Sequence, residues 1–166
     1  SYELLEPPER ELFARLAIFA GGFSIEAAEL ICNPNGELGL DTLDGIAALV
    51  GQSLVRRQPE TAESRFVMLE TIRQYGRDRL QTDGRLDEMA WRHLEYFRDL
   101  AETAEPHFMD AEQPTWLDRF EREHDNVRVA LRRALDAGDL ENGLRLAAAL
   151  WRFWFQRGYL REGRGW

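Results

Sequence analysis

The chain has 166 residues, enough to bury one core or two small ones, and 44% hydrophobic with 31% charged residues is the composition of a folded chain. Its formal net charge is −9 and its basic residues are all arginine, an acidic balance that works against the phosphate neutralisation on which duplex DNA binding rests. No apolar run reaches the length of a bilayer span: the longest, Leu146 to Phe155, is interrupted by Arg152, and no basic, apolar, small-residue leader opens the chain. A single cysteine, Cys32, cannot make an internal disulfide, so a cytoplasmic location without membrane partners is expected. Set among Ala27, Ala28, Leu30 and Ile31, Cys32 reads as a small buried hydrophobe rather than a nucleophile. The chain begins at Ser1 without an initiator methionine and stops at Trp166 as a new helix starts, which is the expectation for a piece of a longer protein.

Pro7 and Pro8 precede a helical period carried by Leu12, Phe13, Leu16 and Phe19, and Gly21-Gly22 ends it. Ser24 caps a second helix over IEAAELIC, and the turn-rich CNPNGELG follows. Asp41 caps a third helix, in which Leu43, Ile46, Leu49 and Val50 are expected to form the buried stripe. The period then changes: SLVRRQ and RFVML flank the polar PETAES and read as two strands of a β-hairpin. Three helices followed by a hairpin is the order of a winged helix. Helix returns from Glu70, with Ile72, Tyr75 and Leu80 on one face and Gly84 near its end. A further helix runs from about Leu86 to Ala104 and is closed by Pro106. Another starts near Pro114 with Trp116, Leu117 and Phe120 on its apolar side, and His124, Asp125 and Asn126 read as a junction at which Asp125 recaps a new helix. Gly138-Asp139 then joins it to a helix reaching about Gly158, an αα-hairpin of the kind that repeats into solenoids. The expected fold is mainly α: a winged-helix-like domain at 1–84, then a helical linker and a first TPR-like hairpin at 85–166.

No catalytic constellation is present in the sequence. The histidines, His93, His107 and His124, lie far from Cys32 and from one another at helical spacings, so no metal site is expected. Gly21-Gly22 lacks the spacing and the lysine of a phosphate-binding loop, and no serine sits in a nucleophile elbow. The third helix offers Gln52 near its end but no cation with which to read base edges, and through residue 83 the module carries 8 arginines against 14 acids, a net charge of −6. Trp151, Trp154 and Phe155 fall at i, i+3 and i+4 on one helix face, where they would either line a groove or pack against a following hairpin.

The run SYELLEPPERELFARLAIFAGGFSIEAAELIC, then LDGIAALVGQSLV and RFVMLETIRQYGRDRL, resembles the winged-helix segment of bacterial STAND-type ATPase transcriptional regulators, related to the AfsR, MalT and LuxR-like groups. EYFRDLAETAEP, WLDRFEREHDNVRVALRRAL and GLRLAAALWRFWFQRGYLREGRGW resemble the helical linker and first TPR-like hairpin that follow it there. The resemblance implies a preceding nucleotide-binding domain holding ATP or ADP, a following helical-repeat sensor for an inducer or protein partner, and an output domain at one terminus. It further implies a winged helix that packs on the nucleotide domain as a regulatory hinge. Plant immune receptors, which are relatives, carry Met-His-Asp at the end of the wing, with the histidine near the ADP phosphate; the matching positions here are Met68, Leu69 and Glu70. Leucine donates no hydrogen bond to phosphate, so Met68 and Leu69 are expected in the core, with Glu70 at a helix N-terminus. The chain itself is expected to hold no cofactor and to couple nucleotide state to a sensor without catalysis. The alternative is a DNA-binding winged-helix factor with a helical dimerisation extension.

Overall fold

The computed structural model describes residues 2–59 and 63–166, and the tip of the expected hairpin, 60–62, lies outside the described residues. By its internal contacts the chain divides into two compact units, Ser1–Ala90 and Trp91–Trp166.

In the first unit, α1 (Pro7–Leu16) starts with both prolines in its first turn, where their missing N–H groups cost nothing. A capping box closes that end: Glu6 N–H donates to the Glu9 carboxylate at 2.9 Å. Ser24 caps α2 (Ile25–Cys32) by accepting the Ala27 N–H at 3.1 Å, and Asp41 caps α3 (Thr42–Gly51) by accepting the Asp44 N–H at 3.0 Å, as their sequence positions predict. The hairpin pairs β2 (Arg56–Gln58) with β3 (Arg65–Val67). A third strand, β1 (Phe23–Ser24), which the sequence pattern does not reveal, pairs with the other edge of β3, so the antiparallel order is β1-β3-β2. Phe23 lies opposite Phe66 in that register, and their rings stack at 6.1 Å. α4 (Glu70–Thr82) returns across α1. There Gly76 brings the two backbones close: a Cβ at this position would stand 2.7 Å from the Ala17 Cβ. Leu12, Phe13, Leu16, Ile31, Ile46 and Leu49 are fully buried and form the core.

α5 (Leu86–Ala104) begins in the first unit and continues into the second, where a short 3-10 turn, Glu105–Met109, follows it. α6 (Gln113–Ala137) then runs 25 residues without a break, ends at Gly138 in the left-handed region (φ 68°), and α7 (Leu140–Gln156) packs back along it behind an Asp139 cap. The core of this unit joins Phe108, Phe120 and Phe153, whose rings meet edge-on or tilted at 5.9 and 6.0 Å. α8 (Leu160–Gly165) lies against α7, with Gly163 under the Trp154 ring.

The expected junction at residues 124–126 is not a junction. His124 and Asn126 are buried inside the continuous α6, and side-chain partners rather than helix-end amides satisfy them. Asn126 Oδ1 lies 3.2 Å from His93 Nε2 and its amide donates to Glu123 at 2.9 Å, while His124 Nε2 lies 3.0 Å from Glu162. His93 is likewise buried, beside Phe97. Among the described residues, no helix is long and apolar enough to cross a membrane.

Candidate functional site

Where a winged helix offers a recognition helix, this chain offers α3. Ile46 and Leu49 point into the core as expected, but Leu43 and Val50 do not: they are 51% and 37% exposed. With only ten residues, α3 can bury one narrow stripe against its neighbours, and that stripe runs through Thr42, Gly45, Ile46 and Leu49. The opposite face presents Leu43, Asp44, Ala47 and Val50, an apolar strip with an acid on it and no cation. Such a face has nothing with which to neutralise phosphate or to bond base edges bidentately, whereas it can exclude water against another apolar surface. The exposed cations of the wing are Arg56 and Arg57 on β2, and Arg57 Nη2 donates to Ser64 Oγ at 3.3 Å.

The end of the wing forms a second feature. Met68 is buried, as expected, but Leu69 is 45% exposed: it occupies the cap position of α4, outside the strand and outside the core-facing side of the helix. Glu70 stands in the first turn of α4, where a carboxylate is favoured by the free N–H groups. Met68 and Glu70 share a small cleft with Gly21, Gly22, Phe23 and Arg73. Arg73 closes its floor, its Nε donating to the Phe19 carbonyl at 2.5 Å and its Nη1 to Glu70 at 3.0 Å. One turn on, burial and then the like charge of Arg73 push the Arg77 guanidinium below its usual range. Met68 and Glu70 are thus brought to one cleft and Leu69 is left at the surface.

The third feature is the outward side of α7. Trp151 and Phe155 are 48% and 61% exposed, but Trp154 is 3% exposed, covered by α8. The face therefore runs through Leu140, Leu144, Trp151 and Phe155 rather than through Trp154, and Leu160 of α8 extends it. A cavity beside it is lined by Ala147, Trp151, Trp154, Leu160 and Gly163. α8 is fixed in place by ion pairs: Arg128 grips Glu162 with two bonds of 2.8 and 2.9 Å, and His124 adds a third at 3.0 Å. These contacts, the Arg128 bonds first, hold the Glu162 carboxyl below the usual carboxylate range.

Residues 5–81 match the model of a winged helix-turn-helix domain, which covers α1 to α4 with their sheet. No solved structure matches the chain significantly. The whole chain is 34% identical over 166 residues to a Mycobacterium tuberculosis protein named for an inferred role as an HTH-type transcriptional regulator, and equally to its Mycobacterium bovis counterpart. An uncharacterized Mycobacterium tuberculosis protein is 32% identical over 99 residues, 59% of this chain and 25% of its own length. The chain spans about a fifth (19%) of the length of the two regulator-named relatives.

Proposed function

We propose that the chain is a non-catalytic regulatory module of a longer transcriptional regulator, in which the winged helix docks on protein rather than reading bases. The observation that carries this reading is the outward face of α3: Leu43, Asp44, Ala47 and Val50, apolar and acidic, at the position where a DNA-reading helix carries its cations. In its finer form the parent protein is a STAND-type ATPase switch. A nucleotide-binding domain with ATP or ADP precedes the module, the exposed face of α7 continues into TPR-like helical repeats that sense an inducer, and the winged helix repacks between two states as nucleotide and inducer bias it. The relatives' names and lengths support the regulator setting, and the resemblance of the sequence supports the ATPase setting.

Two measurements test it. The native reading frame upstream of Ser1 should encode a GxxxxGK[ST] loop between a strand and a helix; a start codon close by would remove the switch reading. In the full-length protein locked with ATP or ADP, amide exchange across Glu70–Leu80 should differ between the two states, and identical exchange would count against a hinge.

The DNA-binding alternative is supported by the match to a winged helix-turn-helix domain, by the relatives named as HTH-type transcriptional regulators and by the exposed Arg56-Arg57 pair on the wing. A salt-sensitive shift of labelled duplex by the 166-residue chain at about 50 mM salt would establish it, and the α3 face would then lie away from the groove.

A further inference from the structure

Outside the surfaces described so far, three side chains with metal-binding atoms converge at the turn between α5 and α6. His107 Nδ1 lies 2.8 Å from Asp110 Oδ2 and 2.8 Å from Glu112 Oε2, and one donor atom from each of the three lies within 4.8 Å of the others. A ring nitrogen carries at most one proton, so it can fully satisfy only one of two carboxylates that approach it equally. The carboxylates also repel each other, and a cation placed at the point they share would relieve both conditions.

The donors are held before any ion arrives. The His107 ring lies flat on Trp116, 5.4 Å between centroids and 5° between planes. Asp110 spends its other oxygen, Oδ1, on the Glu112 N–H at 2.8 Å, which leaves Oδ2 aimed at the ring. The turn is pinned from below: Phe108 is fully buried against Phe120, and its carbonyl accepts from the amides of Gln113 and Gln156.

We propose that His107, Asp110 and Glu112 form a binding site for a divalent transition-metal ion of the zinc class. Tetrahedral ligands on bonds of about 2.1 Å are about 3.4 Å apart, so the two 2.8 Å separations here need to open by only about half an ångström to admit the ion. One imidazole nitrogen with two carboxylate oxygens suits zinc or manganese better than calcium, which takes six to eight oxygens. On binding, Nδ1 gives up its proton, or the neutral ring keeps its proton on Nε2, and the lone pair of Nδ1 goes to the metal. The ion then ties the 3-10 turn to the start of α6 and leaves its outer positions to water or to a ligand from a partner.

The rest of the molecule makes the site easy to assign. His93, His124 and Cys32 are all buried, so among the imidazoles and the thiol of the described residues His107 alone reaches solvent, at 30% side-chain exposure. The experiment is calorimetric titration of the 166-residue chain with zinc(II), manganese(II) and calcium(II), alongside H107Q and the double variant D110N/E112Q. Thermal melting of each in the absence of metal shows that the variants fold. The expected result is one zinc per chain, bound more tightly than calcium, accompanied by a shift of the His107 ring resonances and lost in both variants. Zinc binding that survives in either variant, calcium bound as well as zinc, or no saturable binding by the parent chain would each overturn the site.

Discussion

The orientation of α3 separates the two readings of this module, and a pair of truncations on the same helix tests it. Ile46 is fully buried, so Ile46→Ala deletes core methyl groups and leaves a cavity, at a cost of about 2–5 kcal/mol. Leu43 is 51% exposed; since full burial of a leucine is worth about 1.5–3 kcal/mol, the half-buried side chain can lose at most about 1.5 kcal/mol on truncation. Alanine is at least as good a helix former as either residue, so propensity does not invert the order. With a urea m-value of about 2 kcal/mol/M, the midpoint should fall by roughly 1–2.5 M for Ile46→Ala and by less than about 0.75 M for Leu43→Ala, with m unchanged in both. Urea unfolding followed by circular dichroism reads this directly. Equal shifts, or a larger one for Leu43→Ala, would mean that Leu43 faces the core and that α3 has no apolar outer face to dock.

Gly76→Ala should destabilise the first unit: the new methyl meets Ala17 at 2.7 Å, and overpacking of about 1–3 kcal/mol exceeds the helix-propensity gain of about 0.8–1 kcal/mol. Gly51→Ala, near the end of α3 with open space around it, should raise the melting temperature slightly, and the pair fails as a prediction if Gly76→Ala melts higher than the parent. Glu162 has its folded pKa depressed by Arg128 and His124, so its contribution is complete above the unfolded carboxylate pKa of about 4.3 and is lost as pH falls through the lower folded value. Glu162→Gln should therefore be less stable than the parent near neutrality, with a gap that closes below about pH 4; a gap constant with pH would refute the pairing.

Local chemistry was the most legible part of the fold. Ser24 and Asp41 cap the helices that their positions announce, because a cap depends on three or four consecutive residues and on nothing distant. The strands of the wing were readable from their change of period, but β1 was not: two residues cannot display an alternation, and Phe23 becomes a strand only by meeting Phe66 more than forty positions away. The same distance hid the continuity of α6. Asp125 and Asn126 read as end-of-helix residues because their side chains usually serve free amides, and only His93, from another helix, shows what Asn126 serves instead. In α3 four apolar residues compete for a stripe that holds two of them, and the pattern alone does not say which side the neighbours will take. At the candidate surfaces the sequence named Trp151 and Phe155 but could not foresee that α8 covers Trp154. The His107 cluster escaped because the spacing 107, 110, 112 fits no helical face and is gathered by a 3-10 turn.

The close passage of α1 over α4 has a mechanical consequence. Tyr2 sits edge-on to Tyr75 at 5.3 Å, Phe13 lies against the backbone of Gly76, and Arg85 reaches Glu11 at 3.6 Å. The strand of chain that enters the first unit is thus laced along its whole length to the strand that leaves it. Glu11 meets Arg85 while Ala17 meets Gly76, so the two helices run antiparallel, and a pull applied through these two ends would peel the α1–α4 seam from its Glu11–Arg85 end. A tug from neighbouring parts of a longer protein would then open the seam first, while the outward face of α3 kept its shape until the last contacts along that seam had parted.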